Sequence, residues 1–457
     1  MPDDLPPSSR RTREQRTEQG RSYRQVLPRS EHARWSPDSN RPSVVDLLRK
    51  SNEDRLATLV PIRHGRMLAS PLAYFRGMAI SMAYDLGHMA STEMTVQSCG
   101  DCHLQNFGWF GTPERNIIFD VNDFDETMAA PWEWDLKRLA VSFALAASVI
   151  GAPKQLSKAL ATTVAREYRD QLAIYNAYSP LARCYQKLDS TAIVSHFVEP
   201  DTTTRLKKMF DKARQHTMET LLPKLAVRVG NELKIVDQPP LIYHSPQSDG
   251  YFSEVGRLLS GYRNSLTSDR RFLLDFYELS DAAYKVVGVG SIGLRCGLVL
   301  LEDADNSPLL LQMKEARASV LAPYAGQVPR SNHGERIVCG QRLLQAASDI
   351  FLGWTIDSEG RHYYVRQLRD MKMSVDVTKF SQPELADYAR LCGWALARAH
   401  SKAGDPAYSL GYIGTSDRFE IAIGEFAVAY SEQVNRDFGA FQIAAKNGLV
   451  PVESKTK

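Results

Sequence analysis

Between Cys99 and Glu126 the chain reads CGDCHLQNFGWFGTPERNIIFDVNDFDE, and its chemistry lies in Asp101, Asn106 and Asp123. An Asp on a loop, an Asn five residues on and an Asp-Phe pair after the next strand form a set that phosphoryl transfer can use. One carboxylate orients or deprotonates an acceptor hydroxyl. An amide oxygen and a second carboxylate hold Mg2+, a hard cation that neutralises phosphate oxygens. Taken singly, each of these residues reads as a turn former or helix cap. Their order, on loops beside a strand, favours a site.

The same segment carries Cys99-Gly-Asp-Cys102-His103, a C-x-x-C-H pattern that also fits haem attachment or half a zinc site. Haem attachment takes place outside the cytoplasm, and the first residues lack the apolar run of an export signal. Zinc needs a second ligand pair, and no other C-x-x-C occurs. A metal- or haem-bearing redox protein is therefore the minor alternative, with His103 retained as a residue lining the loop.

A second constellation begins at Tyr284. Glycines 288, 290 and 293 follow a strand and precede another, Leu294–Leu301, so they sit in a hairpin rather than opening a helix as a dinucleotide fingerprint does. The next strand, Leu309–Lys314, ends in a Lys within apolar residues, and such a Lys requires an anionic partner. Glu335, opening the following helix, is the candidate, with Glu315 and Gln341 as rivals.

The elements that must position these groups follow from pattern. A helix is expected over Ser43–Leu59, another over Leu72–Leu86, strands at Thr95–Ser98 and Asn116–Val121, and helix from Trp134 to Tyr178 and through Thr204–Leu222. Gln238–Gly250 reads as a loop. Strands Tyr284–Val289, Leu294–Leu301, Leu309–Lys314 and Tyr363–Leu368 flank a helix at Glu335–Phe351, and helices at Leu385–Ser401 and Arg418–Ala444 close the chain. Residues 1–50 hold eleven Lys/Arg against seven Asp/Glu, within a net charge of +3 for all 457 residues. A disordered basic tail over residues 1–42 is expected. The apolar run at Leu139–Ala152 is too short to span a bilayer. A cytoplasmic protein with reduced thiols, no membrane and no nucleic-acid partner is expected.

With these residues in view, the segment from Gly100 to Glu126 resembles the aminoglycoside and choline phosphotransferases, relatives of the protein kinases. Those carry a Gly-Asp-x-x-x-x-Asn catalytic loop, a strand and an Asp-Phe metal motif. The resemblance implies Asp101 as catalytic carboxylate, Asn106 and Asp123 as metal ligands, and Asp125 as an auxiliary. Trp134-Asp135-Leu136 resembles the following helix start, whose Asp braces the loop; Cys99 stands where the group has His. The glycine hairpin is similar to the kinase loop over ATP phosphates, which implies Gly288, Gly290, Ser291 and Gly293 as nucleotide contacts. Lys314 would contact the phosphates and pair with Glu335, and Tyr363–Leu368 would be the hinge strand.

Kinases place the glycine loop before the catalytic loop, and here the order is reversed. The resemblance therefore implies an α+β, two-lobe kinase-like fold in circularly permuted order: a helical lobe over 43–280, a small β-rich lobe over 281–380, and C-terminal helices over 381–457 packing on the first lobe. An ATP- and Mg-dependent phosphotransferase with an unidentified acceptor follows, or a nucleotide-binding pseudokinase that keeps the pocket without turnover. From Arg63 on, the chain also resembles the bacterial family named domain of unknown function 2252. The matching words include Pro61–Met67, Phe75-Arg-Gly77, Gly100-Asp-x-His-x-x-Asn-Phe-Gly108, Asn122–Glu126, Trp134–Arg138, Leu311-Gln-x-Lys-Glu-Ala316 and Ala397–His400. Arg63, Arg66 and Arg76, ahead of the catalytic loop, are candidates to bind phosphate or an acidic substrate.

Overall fold

The computed structural model describes residues 11–453 except 198–199, 216–217, 231, 245–247, 287, 289, 326–330 and 369–375. The chain is α+β, with helices and antiparallel sheets. Helix Trp132–Val149 is buried on nearly every face and runs through the centre of the helical part. Around it pack Lys154–Ala177, Gln382–Ala403 and Arg418–Lys446. The single helix expected from Trp134 to Tyr178 is broken in two. Gly151 turns left-handed (φ +70°) and Pro153 caps the second piece. Likewise the Leu72–Leu86 region forms two short helices, Pro71–Gly77 and Ala79–Gly87, separated at Met78.

The largest sheet has six antiparallel strands. Their spatial order is Gly353–Ile356, His362–Gln367, Pro308–Ala316, Cys296–Glu302, Glu278–Lys285 and Ile242–Tyr243. Alternation along the strands fills both faces. Val299, Leu301, Leu311, Met313 and Val365 pack with Val255, Leu258 and Tyr262 of helix Ser248–Ser265. Leu298, Leu300 and Leu310 pack with Leu225, Leu233 and Ile235 near a small hairpin. The sheet unit thus begins well before residue 281, which corrects the boundary expected from sequence. Two apolar segments read there as part of the helical lobe cover the sheet instead.

Helix His333–Leu344 connects the two parts. It is capped by Asn332 and ends at Leu344, short of the expected Phe351. Gly334 backs onto the Tyr363 carbonyl, and Gly340 lies against Thr127 and Gln97, where any side chain would collide. Arg336 on this helix donates to the carbonyls of Thr127, Asp125 and Arg317. One guanidinium therefore ties the acidic loop after Val121 to the exit of strand Pro308–Ala316.

The basic leader is folded from Arg11 onward, which corrects the expected disorder. Helix Arg13–Ser22 has a complete capping box at Thr12 and Gln15, and crosses helix Pro406–Ile413 where Gly20 meets Tyr408 and Gly411 meets Thr17. Arg24 donates to the carbonyls of Tyr412 and Gly411 (2.8 and 2.6 Å), and Arg29 to that of Ile413 (2.5 Å). These arginines satisfy helix-end carbonyls that lack partners in their own helix. Residues 1–10 of that region lie outside the described residues. Among the described residues no helix is long and apolar enough to cross a membrane.

Candidate active site

The loop holding Asp101 is built from its backbone. Strand Thr95–Ser98 leads into Cys99 and Gly100, whose N–H groups both donate to the buried carboxylate of Asp135 (2.7 and 3.0 Å). Asp135 lies in the first turn of helix Trp132–Val149 and also meets His400 Nε2 at 3.2 Å. His400 in turn contacts the Tyr168 hydroxyl at 2.9 Å. A histidine brought from near the far end of the chain thus shares the brace. Gly100 has φ +84°, and a Cβ there would overlap the Glu126 carbonyl. Only glycine lets the Asp101 loop and the 123–126 loop lie this close.

Asp101 accepts from Arg138 Nε at 2.5 Å, and His103 Nε2 stands 3.8 Å away. Burial pushes the Asp101 carboxyl above its ordinary range; Arg138 counters this and Asp123 adds to it. His103 is held nearly neutral at ordinary pH, because burial depresses its basicity and Arg76 and Arg138 repel its charged form. Asn106 donates its amide to the Asp101 carbonyl at 2.7 Å, which orients the amide across the loop. Hairpin Phe107–Gly111/Ile117–Val121 carries the chain from there to Asp123. Its first strand was not expected from the sequence, because FGWFG holds glycines at both ends of an aromatic core.

Asp125 is where the two constellations meet. Its Oδ2 receives Lys314 Nζ and the Ser291 hydroxyl (3.2 Å), and its Oδ1 the Tyr364 hydroxyl (2.8 Å). Burial alone would neutralise the Lys314 ammonium, but Asp125 and then Tyr364 outweigh it and the net direction is upward. Asp125 is shifted the opposite way, downward, since Lys314 overcomes its burial. The pairing corrects one expectation. Lys314 finds its anion in Asp125 rather than Glu335, and Asp125, expected as an auxiliary metal ligand, has protein donors on both oxygens. Glu335 stands in the first turn of its helix, its N–H held by Asn332, and Glu315 pairs with Arg295 at 3.2 Å. Gln341 bonds within its own helix end, to Gln345.

These groups line a cavity of about 1290 Å³. Asp101, His103, Asn106, Asp123, Asp125, Gly288, Gly290, Ser291 and Lys314 are on its wall. Gly293 and Glu335 are not. Gly293 instead shapes the turn: its φ is +91° and its carbonyl accepts from Leu56 N at 2.8 Å. Arg55 fastens the same turn through the Ile292 and Gly290 carbonyls (2.6 and 2.9 Å). Arg63 and Arg76 reach the wall, whereas Arg66 does not. Sequence reasoning missed Arg138, Arg336 and Tyr364. Arg138 carried one signal, a cation at the start of the apolar run Leu139–Ala147.

Residues 55–444 match the family described as "Uncharacterized protein conserved in bacteria (DUF2252)". The chain belongs to that family. No curated protein and no solved structure matches it. In this DUF2252 member the C-x-x-C-H segment is part of the loop's underside. Cys99, Cys102 and Asp135 present ligand atoms within 4.8 Å of one another, but Asp135 already accepts from two backbone N–H groups. Burial pushes the Cys102 thiol up to about 11, and His103 Nδ1 accepts from Gln105 N. A thiolate metal centre or haem tether would have to displace the bonds that shape the Asp101 loop.

Proposed function

We propose that this protein is an ATP- and Mg-dependent phosphotransferase, a kinase-like enzyme whose lobes occur in permuted order. The observation that carries the reading is the meeting at Asp125. A glycine turn joining two antiparallel strands, and a buried Lys on the third, close over an acidic loop nearly two hundred residues earlier in the chain. In kinases a glycine-rich hairpin covers the phosphates, the third strand supplies the Lys, and a helix follows it. Helix His333–Leu344 follows strand Pro308–Ala316 here in the same way. Asp135 gripping two loop N–H groups supports the brace implied by the phosphotransferase resemblance.

Asp101 would accept the proton of, or orient, an acceptor hydroxyl, with Arg138 holding its carboxylate in place. Asn106 and Asp123 offer the hard oxygens that suit Mg2+, which when bound would neutralise phosphate oxygens. The glycine turn would lay backbone N–H groups along the phosphates, and Lys314 would shift part of its charge from Asp125 to them. The helical part, the sheet unit and the C-terminal helices are the lobes of this reading. The six free cysteines suit a reducing cytoplasm.

Fluorescent ATP-analogue binding with Mg2+ tests the assignment. Wild type should bind, and Lys314→Met should weaken binding about tenfold or more, the loss of a charge-assisted contact. Equal binding by wild type and Lys314→Met would remove Lys314 from the nucleotide site. Asp101→Asn separates enzyme from pseudokinase: retained binding with lost turnover marks an enzyme.

A further inference from the structure

Some cations on the cavity wall have carboxylates. Lys314 has Asp125, Arg295 has Glu315 and Arg361 has Asp357. Three arginines from the first eighty residues form no ion pair among the described residues, and neither do Lys50, Lys285 and Arg366. Arg55 bonds to backbone carbonyls alone, and Arg63 to the Asn52 amide oxygen, the Ser51 hydroxyl and the Gly77 carbonyl. Arg76 makes no hydrogen bond among the described residues, and its Nε is buried without a partner. Its field reaches Asp101 and Asp123, but neither carboxylate forms an ion pair with it. Arg63 is 1% exposed, and Arg55 and Arg317 disfavour its charge further. Burying cations without a directly paired anion is costly, and a bound anion would relieve it.

We propose that the acceptor is a phosphorylated small molecule whose phosphate is taken by Arg76, with Arg55 and Arg63 adding positive charge to the same cavity wall. The assignment of this anion to the acceptor rests on the kinase-like reading; the anion site itself does not. Three considerations favour the acceptor side. Arg76 neighbours Asp101, the group proposed to handle the acceptor hydroxyl. In the kinase-like reading, Lys314 and the glycine turn are taken up by the triphosphate. The cavity, at about 1290 Å³, exceeds the roughly 300–1,000 Å³ usual for one small ligand. A guanidinium fork also matches phosphate oxygens in a way that an ammonium does not.

The test is calorimetric titration of inorganic phosphate into the full chain, alone and saturated with a non-hydrolysable ATP analogue and Mg2+. Phosphate should bind in both states. Arg76→Gln should weaken it about tenfold or more while analogue affinity stays within about twofold. Arg76→Lys keeps the charge, loses the fork and should fall between; it is also the variant to use if Arg76→Gln does not fold. Phosphate displaced by the analogue would overturn the proposal, as would equal binding by wild type and both variants, or no binding by wild type at millimolar phosphate. Acetate binding as tightly as phosphate would overturn the choice of a phosphate. Arg76-dependent phosphate binding in a protein that ignores the analogue would support the anion site and remove the nucleotide reading beneath it.

Discussion

Asp101 is placed against its own ionisation. Its carboxyl is shifted upward by burial, so the folded protein holds that proton more tightly than the unfolded chain does. Ionising Asp101 at neutral pH therefore costs stability, and the cost disappears as pH falls. Asp101→Asn should melt no lower than wild type while turnover is lost, a separation seen in paired thermal melts and activity assays. The acid limb of the pH–rate profile should lie above the range of an ordinary aspartate, and Arg138→Met should move it higher still. Asp125 is the contrasting case. Lys314 is 4% exposed, and removing its anion leaves a buried charge unpaired. Asp125→Ala should cost about 3–5 kcal/mol by denaturant unfolding; a loss below about 1 kcal/mol would mean that solvent or another carboxylate replaces Asp125. That Asp101, Asn106 and Asp123 would lie together on one wall was legible because their spacing is local. The partner of Lys314 was not, because Glu335 and Asp125 are both acids at positions a fold could bring close, and only the path of helix His333–Leu344 decides between them.

At the scale of elements, the glycines mark where backbones touch. Gly100→Ala puts a Cβ into the Glu126 carbonyl and forces a left-handed residue. It should spread the Asp101 loop from the 123–126 loop and reduce turnover more than stability. Gly411→Val should detach helix Arg13–Ser22, since a Cβ at Gly411 already overlaps the Thr17 carbonyl. Limited proteolysis should then cut within residues 11–36; protection equal to wild type would show that the leader is held elsewhere. Most helices and the strands expected at Leu294–Leu301 and Leu309–Lys314 were readable from apolar period, whereas the strand expected at Tyr284–Val289 shares only Tyr284 and Lys285 with the observed Glu278–Lys285. The leader was not, because polar arginines bonded to helix-end carbonyls hold it, and hydrophobicity patterns do not register such bonds. Strand Phe107–Gly111 was hidden by its glycines, and the helix break at Gly151 by the apolar residues on either side.

For the whole molecule, the account depends on a sheet from the second half of the chain closing over a loop from the first. Helix Gln382–Ala403 stabilises that closure from behind. Arg398, fully buried, meets both oxygens of Asp120 at 2.8 and 3.0 Å and the Leu344 carbonyl at 2.6 Å. Arg398→Met would leave Asp120 buried without its cation and should lower stability by about 3–5 kcal/mol. The α+β class was visible in the sequence, whereas the extent of the sheet unit was not, since helix Ser248–Ser265 looks the same whether it packs on helices or on strands. If the cavity is a nucleotide site, ligand binding must stabilise the fold through linkage, by about 2.7 kcal/mol at a hundredfold excess over Kd. The direct measurement is a thermal-shift titration of the full chain with ATP, with and without Mg2+. The account predicts a rise of several degrees with Mg-ATP, smaller without the metal and much reduced in Lys314→Met; a flat melting temperature in every condition would contradict it.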